Sequence, residues 1–61
     1  MKLLLEELRN EYKTKFNALL KVAEIFEKED NDIFIKCIKK AAGCKMMIEA
    51  YDSKIDKIIE Q

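Results

Sequence analysis

Glu29-Asp30-Asn31-Asp32 decides the fold: this stretch lies near the middle of a 61-residue chain and contains no apolar residue. Asp and Asn are among the residues that most favour the N-cap position of an α-helix. We therefore predict a turn here, with Asp30 or Asn31 capping a second helix. Asp32 would follow in the first turn of that helix, where a negative charge stabilises the helix dipole. One continuous helix or a three-helix arrangement stays open, because neither Pro nor Gly interrupts the stretch.

Apolar residues on both sides of this stretch recur at alternating steps of three and four, which is the spacing of helices that pack side by side. The first row is Leu5, Leu8, Tyr12, Lys15, Leu19, Val22 and Phe26, and the second row is Phe34, Cys37, Ala41, Cys44, Ile48, Tyr51, Ile55 and Ile58. Lys15 is the only polar member of either row. Because Phe26 and Phe34 are eight residues apart rather than seven, the rows are out of phase, and this favours a break between two helices.

The two rows predict an all-α fold, an antiparallel two-helix hairpin that forms a single domain over residues 1–61. We place helix 1 at about 3–28, the turn at about 29–32 and helix 2 at about 33–60. Helices of similar length that are joined by a short turn usually lie antiparallel to each other.

A lone hairpin of this size has few means of stabilisation. A chain of about 60 residues buries only about 60% of its unfolded surface. Cys37 and Cys44 would be separated by about 10.5 Å along a helix, which is too far for a disulfide within the chain. Two thiols without any His also fall short of a zinc site. We therefore predict a homodimer in which two hairpins build a four-helix bundle.

The apolar stripe of each helix is wider than its row. A four-helix bundle needs this width, because each helix then packs against two neighbours. The additional apolar residues are Leu4, Phe16, Ala18, Ala23 and Ile25 on helix 1, and Ile33, Ile38, Met47 and Ile59 on helix 2. Their positions support the predicted homodimer.

Residues that carry enzymatic chemistry are sparse in this chain. It has no His, the commonest general base and metal ligand, and its single Gly cannot build a phosphate-binding loop. Ser53 is the only serine, and the carboxylates lie where exposed helix and turn charges are expected. We predict that the protein is not an enzyme and uses no cofactor.

The start of the chain raises the question of a targeting segment. The apolar run Leu3-Leu4-Leu5 ends at Glu6, well short of the roughly 7–15 residues of a signal-peptide core. No stretch approaches the roughly 18 consecutive apolar residues of a membrane span. We therefore predict a cytoplasmic protein that does not enter a membrane.

The outer face of helix 2 is the predicted binding surface for another protein. Its residues are Ile35, Lys36, Lys39, Ala42, Lys45, Met46, Met47 and Ala50. Exposed Met is common on adaptable binding surfaces, and a charged rim around apolar anchors is typical of helix docking. Gly43 lies beside them and would let another backbone approach closely. The function predicted from this surface is protein–protein interaction, as a regulator, inhibitor or assembly factor.

Two other functions stay open. Lys36, Lys39, Lys40 and Lys45 could form a stripe that binds the phosphates of a nucleic acid, although the net charge of zero gives no general electrostatic attraction. The chain could also be a structural subunit of a larger helical assembly. In its two rows it resembles the small RNA-binding bundle proteins that regulate plasmid copy number, which are dimers of helical hairpins. The resemblance implies an architecture rather than a function.

Overall fold

The turn brings two long helices back alongside each other. The computed structural model describes the backbone of residues 1–59 and the side chains of residues 1–58. Helix α1 spans Lys2–Phe26 and helix α2 spans Asn31–Ile59, and they pack as an antiparallel hairpin measuring 49 × 14 × 10 Å. The predicted all-α hairpin is confirmed, and one continuous helix is excluded. The predicted last residue of helix 2, Glu60, and the predicted packing role of the Ile59 side chain lie outside the described residues.

Asp30 starts the second helix. Its Oδ1 accepts hydrogen bonds from the backbone N–H groups of Asp32 at 3.1 Å and Ile33 at 3.2 Å. Its carbonyl oxygen accepts from the N–H of Phe34 at 3.0 Å, and its own N–H donates to the carbonyl of Phe26 at 3.0 Å. Asp30 is therefore the N-cap residue of α2, one of the two candidates that the sequence offered.

The turn occupies residues 27–30 rather than 29–32, because α1 ends at Phe26 and the Asp30 cap lets α2 begin at Asn31. Glu27 keeps right-handed helical angles, φ −50° and ψ −42°. Within residues 1–59 no residue adopts a positive φ. The chain therefore reverses direction here without needing the conformational freedom of glycine.

The Asp30→Ala variant is expected to lower the free energy of unfolding by about 1 kcal/mol, because two N–H groups lose their acceptor. Asp30→Asn is the matched control: it keeps an acceptor oxygen, so it should lose less. Urea unfolding followed by circular dichroism at one fixed protein concentration measures both variants, since association would otherwise shift the result. Equal losses would show that the charge of Asp30, and not its cap, stabilises the helix.

Small residues make up most of the fully buried part of the contact between the helices. The buried apolar residues within 1–58 are Ala23 on α1, and Cys37, Ala41 and Ile55 on α2. The buried members of α2 all belong to its predicted row, and the remaining members of that row are half-buried. The row predicted for helix 2 is therefore confirmed as the line that faces α1.

The row predicted for helix 1 is wrong at Lys15 and Val22, whereas its other members are half-buried. Lys15 and Val22 are exposed, whereas their neighbours Phe16 and Ala23 are half-buried and buried. The line that faces α2 is Leu5, Arg9, Tyr12, Phe16, Leu19, Ala23 and Phe26. The apolar stripe of α1 covers both lines. The three-and-four spacing marks the middle of that stripe, and α2 contacts one edge of it.

An ion pair and a stack of two aromatic rings join the helices toward the end of the hairpin that is opposite the turn. Nη1 of Arg9 lies 2.9 Å from Oδ1 of Asp52, a residue 43 positions away in sequence. The rings of Tyr12 and Tyr51 stack at a centroid distance of 6.0 Å and an angle of 29°. The Nε of Arg9 is buried without a hydrogen-bond partner among the described residues. Because these contacts join particular side chains of α1 and α2, they favour this register of the two helices.

A double-mutant cycle with Arg9→Met and Asp52→Asn is expected to show a coupling of about 0.5 kcal/mol at low salt. The value is small because the Asp52 side chain is 45% exposed and its charge is well solvated. Raising the salt concentration should reduce it further. Urea unfolding of the four proteins gives the coupling, and a value of zero at low salt would show that the ion pair does not stabilise this register.

Candidate protein-interaction surfaces

Two grooves run between the helices on opposite edges of the hairpin. The larger, which we call the wide groove, has a volume of about 580 Å³. It is lined by Tyr12, Lys15, Ala18, Leu19 and Val22 of α1 and by Lys40, Gly43, Cys44 and Met47 of α2. The narrow groove, of about 360 Å³, is lined by Lys13, Phe16, Asn17, Lys45, Ile48 and Glu49. Both are open channels between two rods, so they are suited to an elongated partner.

The wide groove combines an apolar floor with positive charge. Lys15 and Lys40 are its charged lining residues, while Leu19, Val22 and Met47 supply much of its apolar surface. The narrow groove differs, because its lining carries Glu49 together with two lysines. The two edges of the hairpin therefore present different chemistry to a partner.

A cluster of two tyrosines and two lysines adjoins the wide groove. The Nζ atom of Lys15 lies 5.3 Å from the ring centroid of Tyr12, and the Nζ atom of Lys54 lies 5.8 Å from that of Tyr51. The two rings stack on each other, and each ring has one lysine ammonium group beside it. Cation–π contacts at exposed sites are worth about 0.5–1 kcal/mol. They hold the lysine side chains against the protein rather than extended into solvent.

The structure separates two members of the predicted binding surface from the others. Met47 lines the wide groove and Lys45 lines the narrow groove, on the opposite edge. Two residues advance a helix by about 200°, so these side chains point away from each other. The remaining predicted members are exposed and line neither groove: Ile35, Lys36, Lys39, Ala42, Met46 and Ala50. We call these six residues the outer face; Met46, at 71% exposure, is its most exposed large apolar residue.

The predicted stripe of four lysines is also divided. Lys40 lines the wide groove and Lys45 lines the narrow groove, so the two do not share one surface. Lys36 and Lys39 are exposed on the same helix and join Lys40 at helical spacing. A nucleic acid would therefore meet three of the four lysines together.

Gly43 lies in the interior of α2 and borders the wide groove. A Cβ atom built on it meets no atom of the described chain within 4 Å. Glycine inside a helix costs about 1 kcal/mol relative to Ala. Nothing within the described hairpin therefore requires glycine at this position.

The Gly43→Ala variant is expected to raise the free energy of unfolding of the hairpin on its own by about 0.5–1 kcal/mol, because it removes backbone freedom from the unfolded chain. Ala42→Gly, at the neighbouring exposed position, is the control and should cost a similar amount. Urea unfolding at the lowest concentration that circular dichroism permits measures both. A loss of stability in Gly43→Ala would indicate that something outside the hairpin approaches this glycine.

The sequence pattern did not reveal the ion pair, the tyrosine stack or the wide groove. The ion pair and the stack join residues far apart in sequence, and no local spacing reports them. The groove did leave a signal: Val22 and Lys15 belong to the apolar row of α1 but not to its contact with α2. Both of these displaced residues line the wide groove.

Both thiols are free; Cys37 is buried between the helices, and Cys44 is half-buried at the wide groove. In the part of the chain that the structure describes, no three Cys, Asp or Glu side chains form a group that could hold a metal ion. Neither described helix is long and apolar enough to cross a lipid bilayer.

No family model, curated protein or solved structure matches this chain. Any function assigned to it therefore rests on its own surfaces.

Proposed function

We propose that this chain is a small, non-enzymatic protein–protein interaction module. In this proposal it forms a homodimer of hairpins, a four-helix bundle, and docks another protein through the outer face of α2 as a regulator, inhibitor or assembly factor. The observation that carries the proposal is the amount of apolar side chain left on the surface. Within residues 1–58 the exposed large apolar residues are Met1, Leu3, Leu4, Leu20, Val22, Ile25, Ile35, Ile38, Met46 and Met47.

The total surface area supports association. The chain exposes 4906 Å² for a mass of 7.2 kDa. The scaling of surface with mass gives about 4100 Å² for a folded monomer of this size. Part of this excess of about 800 Å² follows from the elongated shape of the hairpin, 49 × 14 × 10 Å. The exposed apolar side chains on that surface are what a second protein surface would cover.

Sedimentation equilibrium over a wide range of concentrations tests the homodimer. The average mass should rise from 7.2 kDa to a plateau at twice that value. A closed plateau is expected because a two-fold dimer buries the same patch on both copies. A mass of one chain at every concentration would contradict the homodimer. Growth without a plateau would support the structural subunit of a larger assembly instead.

The Met46→Glu variant tests the outer face. Met46 is 71% exposed, so the change should leave helicity and the dimer intact while it places a charge in the centre of the docking surface. Proximity crosslinking in the native host identifies the partners of the wild type. With Met46→Glu their enrichment should fall at least about tenfold, because an apolar anchor is lost from the interface. Thr14→Glu, a change at an exposed residue of α1, should keep them. Dissociation of the dimer by Met46→Glu would place the outer face in self-association.

Nucleic-acid binding is the second candidate, because Lys36, Lys39 and Lys40 are exposed at helical spacing. It is less favoured, since the net charge is zero and Lys45 lies on another edge. A salt titration against RNA and DNA decides: phosphate-driven binding would be strongest at low salt and fall steeply as salt rises. Absence of binding at low salt would eliminate this candidate.

The free thiols fit the reducing conditions of the cytoplasm, the compartment that we propose.

A further inference from the structure

The wide groove carries positive charge that the hairpin itself does not neutralise. Lys15 on α1 and Lys40 on α2 are the charged residues of its lining, and neither Asp nor Glu belongs to that lining. Within residues 1–58 the one ion pair is Arg9–Asp52, so no carboxylate of the hairpin pairs with either groove lysine. The narrow groove differs, because Glu49 is part of its lining. Partners usually match such a surface with the opposite charge, and the wide groove therefore favours an acidic occupant.

The two lysines lie at different heights and on opposite sides of the wide groove. The stacked rings of Tyr12 and Tyr51 mark the same height on the two antiparallel helices. From that height, Lys15 lies three residues nearer the turn and Lys40 lies eleven residues nearer the turn. At 1.5 Å per residue, the two backbone positions are about 12 Å apart along the hairpin. A helix lying in the groove would meet one lysine on each side, at positions about eight residues apart in its own sequence.

The floor between the two lysines suits the apolar side of such a helix. Leu19, Val22 and Met47 supply apolar surface, and Ala18 and Gly43 are small enough to leave room above them. A Cβ built on Gly43 meets no atom of the described chain within 4 Å, so another backbone can approach closely there. A helix that docks in a groove uses apolar anchors at i, i+3, i+4 and i+7, which span about 10.5 Å. That span fits between the two lysines.

Other occupants match this lining less well. A second copy of the chain would add its own Lys15 and Lys40 by two-fold symmetry, and its groove has no carboxylate to offer. A nucleic acid would satisfy the lysines through its phosphates, but it would leave the apolar floor without an apolar partner. An amphipathic helix with acidic flanks matches both the floor and the charges.

We propose that the wide groove binds an acidic amphipathic helix of another protein. Its apolar stripe contacts Leu19, Val22 and Met47, and its carboxylates pair with Lys15 and Lys40. This assignment rests on the proposed interaction function, and it adds a second docking surface of defined chemistry. The outer face around Met46 lines neither groove and stays available to a different partner.

A peptide library supplies the probe for this proposal. The displayed peptides have about 18 residues, long enough to form a helix on their own. Leucines are fixed at i, i+3, i+4 and i+7, and the flanking positions are randomised among Glu, Gln and Lys. Selection uses the full wild-type chain. In the enriched peptides Glu should outnumber Lys at least about threefold at the flanking positions, because each pairing with a groove lysine adds a small gain.

Two charge-reversed proteins of equal net charge form a matched pair. One carries Lys15→Glu and Lys40→Glu in the wide groove, and the other carries Lys13→Glu and Lys45→Glu in the narrow groove. All four lysines are exposed, with one of each pair on each helix. The dissociation constant of an enriched peptide should rise at least about tenfold for the first protein and less than about threefold for the second. Fluorescence anisotropy at low salt measures both, and circular dichroism compares their helicity.

A titration of the unmutated protein gives a second measurement that does not depend on a variant folding. Gly43 is the only glycine of the chain, and its amide signal in a nuclear magnetic resonance spectrum falls in a region of its own. The enriched peptide should shift the amides of Ala18, Val22 and Gly43 more than those of Phe16 and Ile48 in the narrow groove. The reverse order would place the peptide on the opposite edge and overturn the assignment.

The remaining outcomes separate this inference from the proposed function. Selection that yields no peptide, or peptides without an excess of Glu, overturns the groove assignment and leaves docking at the outer face standing. Peptides that Met46→Glu releases and the wide-groove variant keeps have the same consequence. Dissociation of a wild-type homodimer by an enriched peptide would place the second copy in the wide groove and overturn the assignment. Binding of RNA through Lys15 and Lys40 without any peptide binding would assign these lysines to phosphates instead.

Discussion

Each helix of a two-helix hairpin has only one neighbour, and this constraint governs the surface of the whole molecule. Among the described residues the helices fully bury Ala23, Cys37, Ala41 and Ile55, while larger residues along the contact, such as Phe16 and Leu19, stay half-buried. A contact of this kind covers one line of each helix and leaves the rest of each apolar stripe in water. Because the chain has no other element within the described residues that could cover it, the exposed apolar surface is a direct result of the fold.

Local features of the sequence predicted the fold well. The polar stretch around Asp30 predicts the capped turn, and the unbroken apolar row of α2 predicts the face that meets α1. Both signals come from residues that are close in sequence. The rotation of α1 could not be predicted in the same way. Its stripe is wide enough to include both Val22 and Ala23, and spacing alone does not say which edge meets α2. Arg9 enters the contact line because Asp52 lies opposite, and that pairing exists only after folding.

The exposure of Met46 could be predicted from its place on the outer side of α2, and it keeps most of its surface in solvent. Lys45 and Met47 do not share a surface, because helical geometry separates residues two positions apart. The wide groove depends on both helices, so it becomes visible only once their register is known. The Arg9–Asp52 pair and the stacked tyrosines favour that register, because each joins a residue of α1 to a residue of α2.

The hydrogen bonds of Asp30 all join residues within four positions of one another, whereas the Arg9–Asp52 pair spans 43. The entropy lost on closing a loop grows with its length, so early structure is expected near the turn. Contacts between the helices would then form from the turn outward, and the helix ends far from the turn would come together last. Fraying should start at those ends, which are the first part of the hairpin to reopen during thermal fluctuation. Amide exchange would accordingly be faster where the chain begins than in the middle of α1.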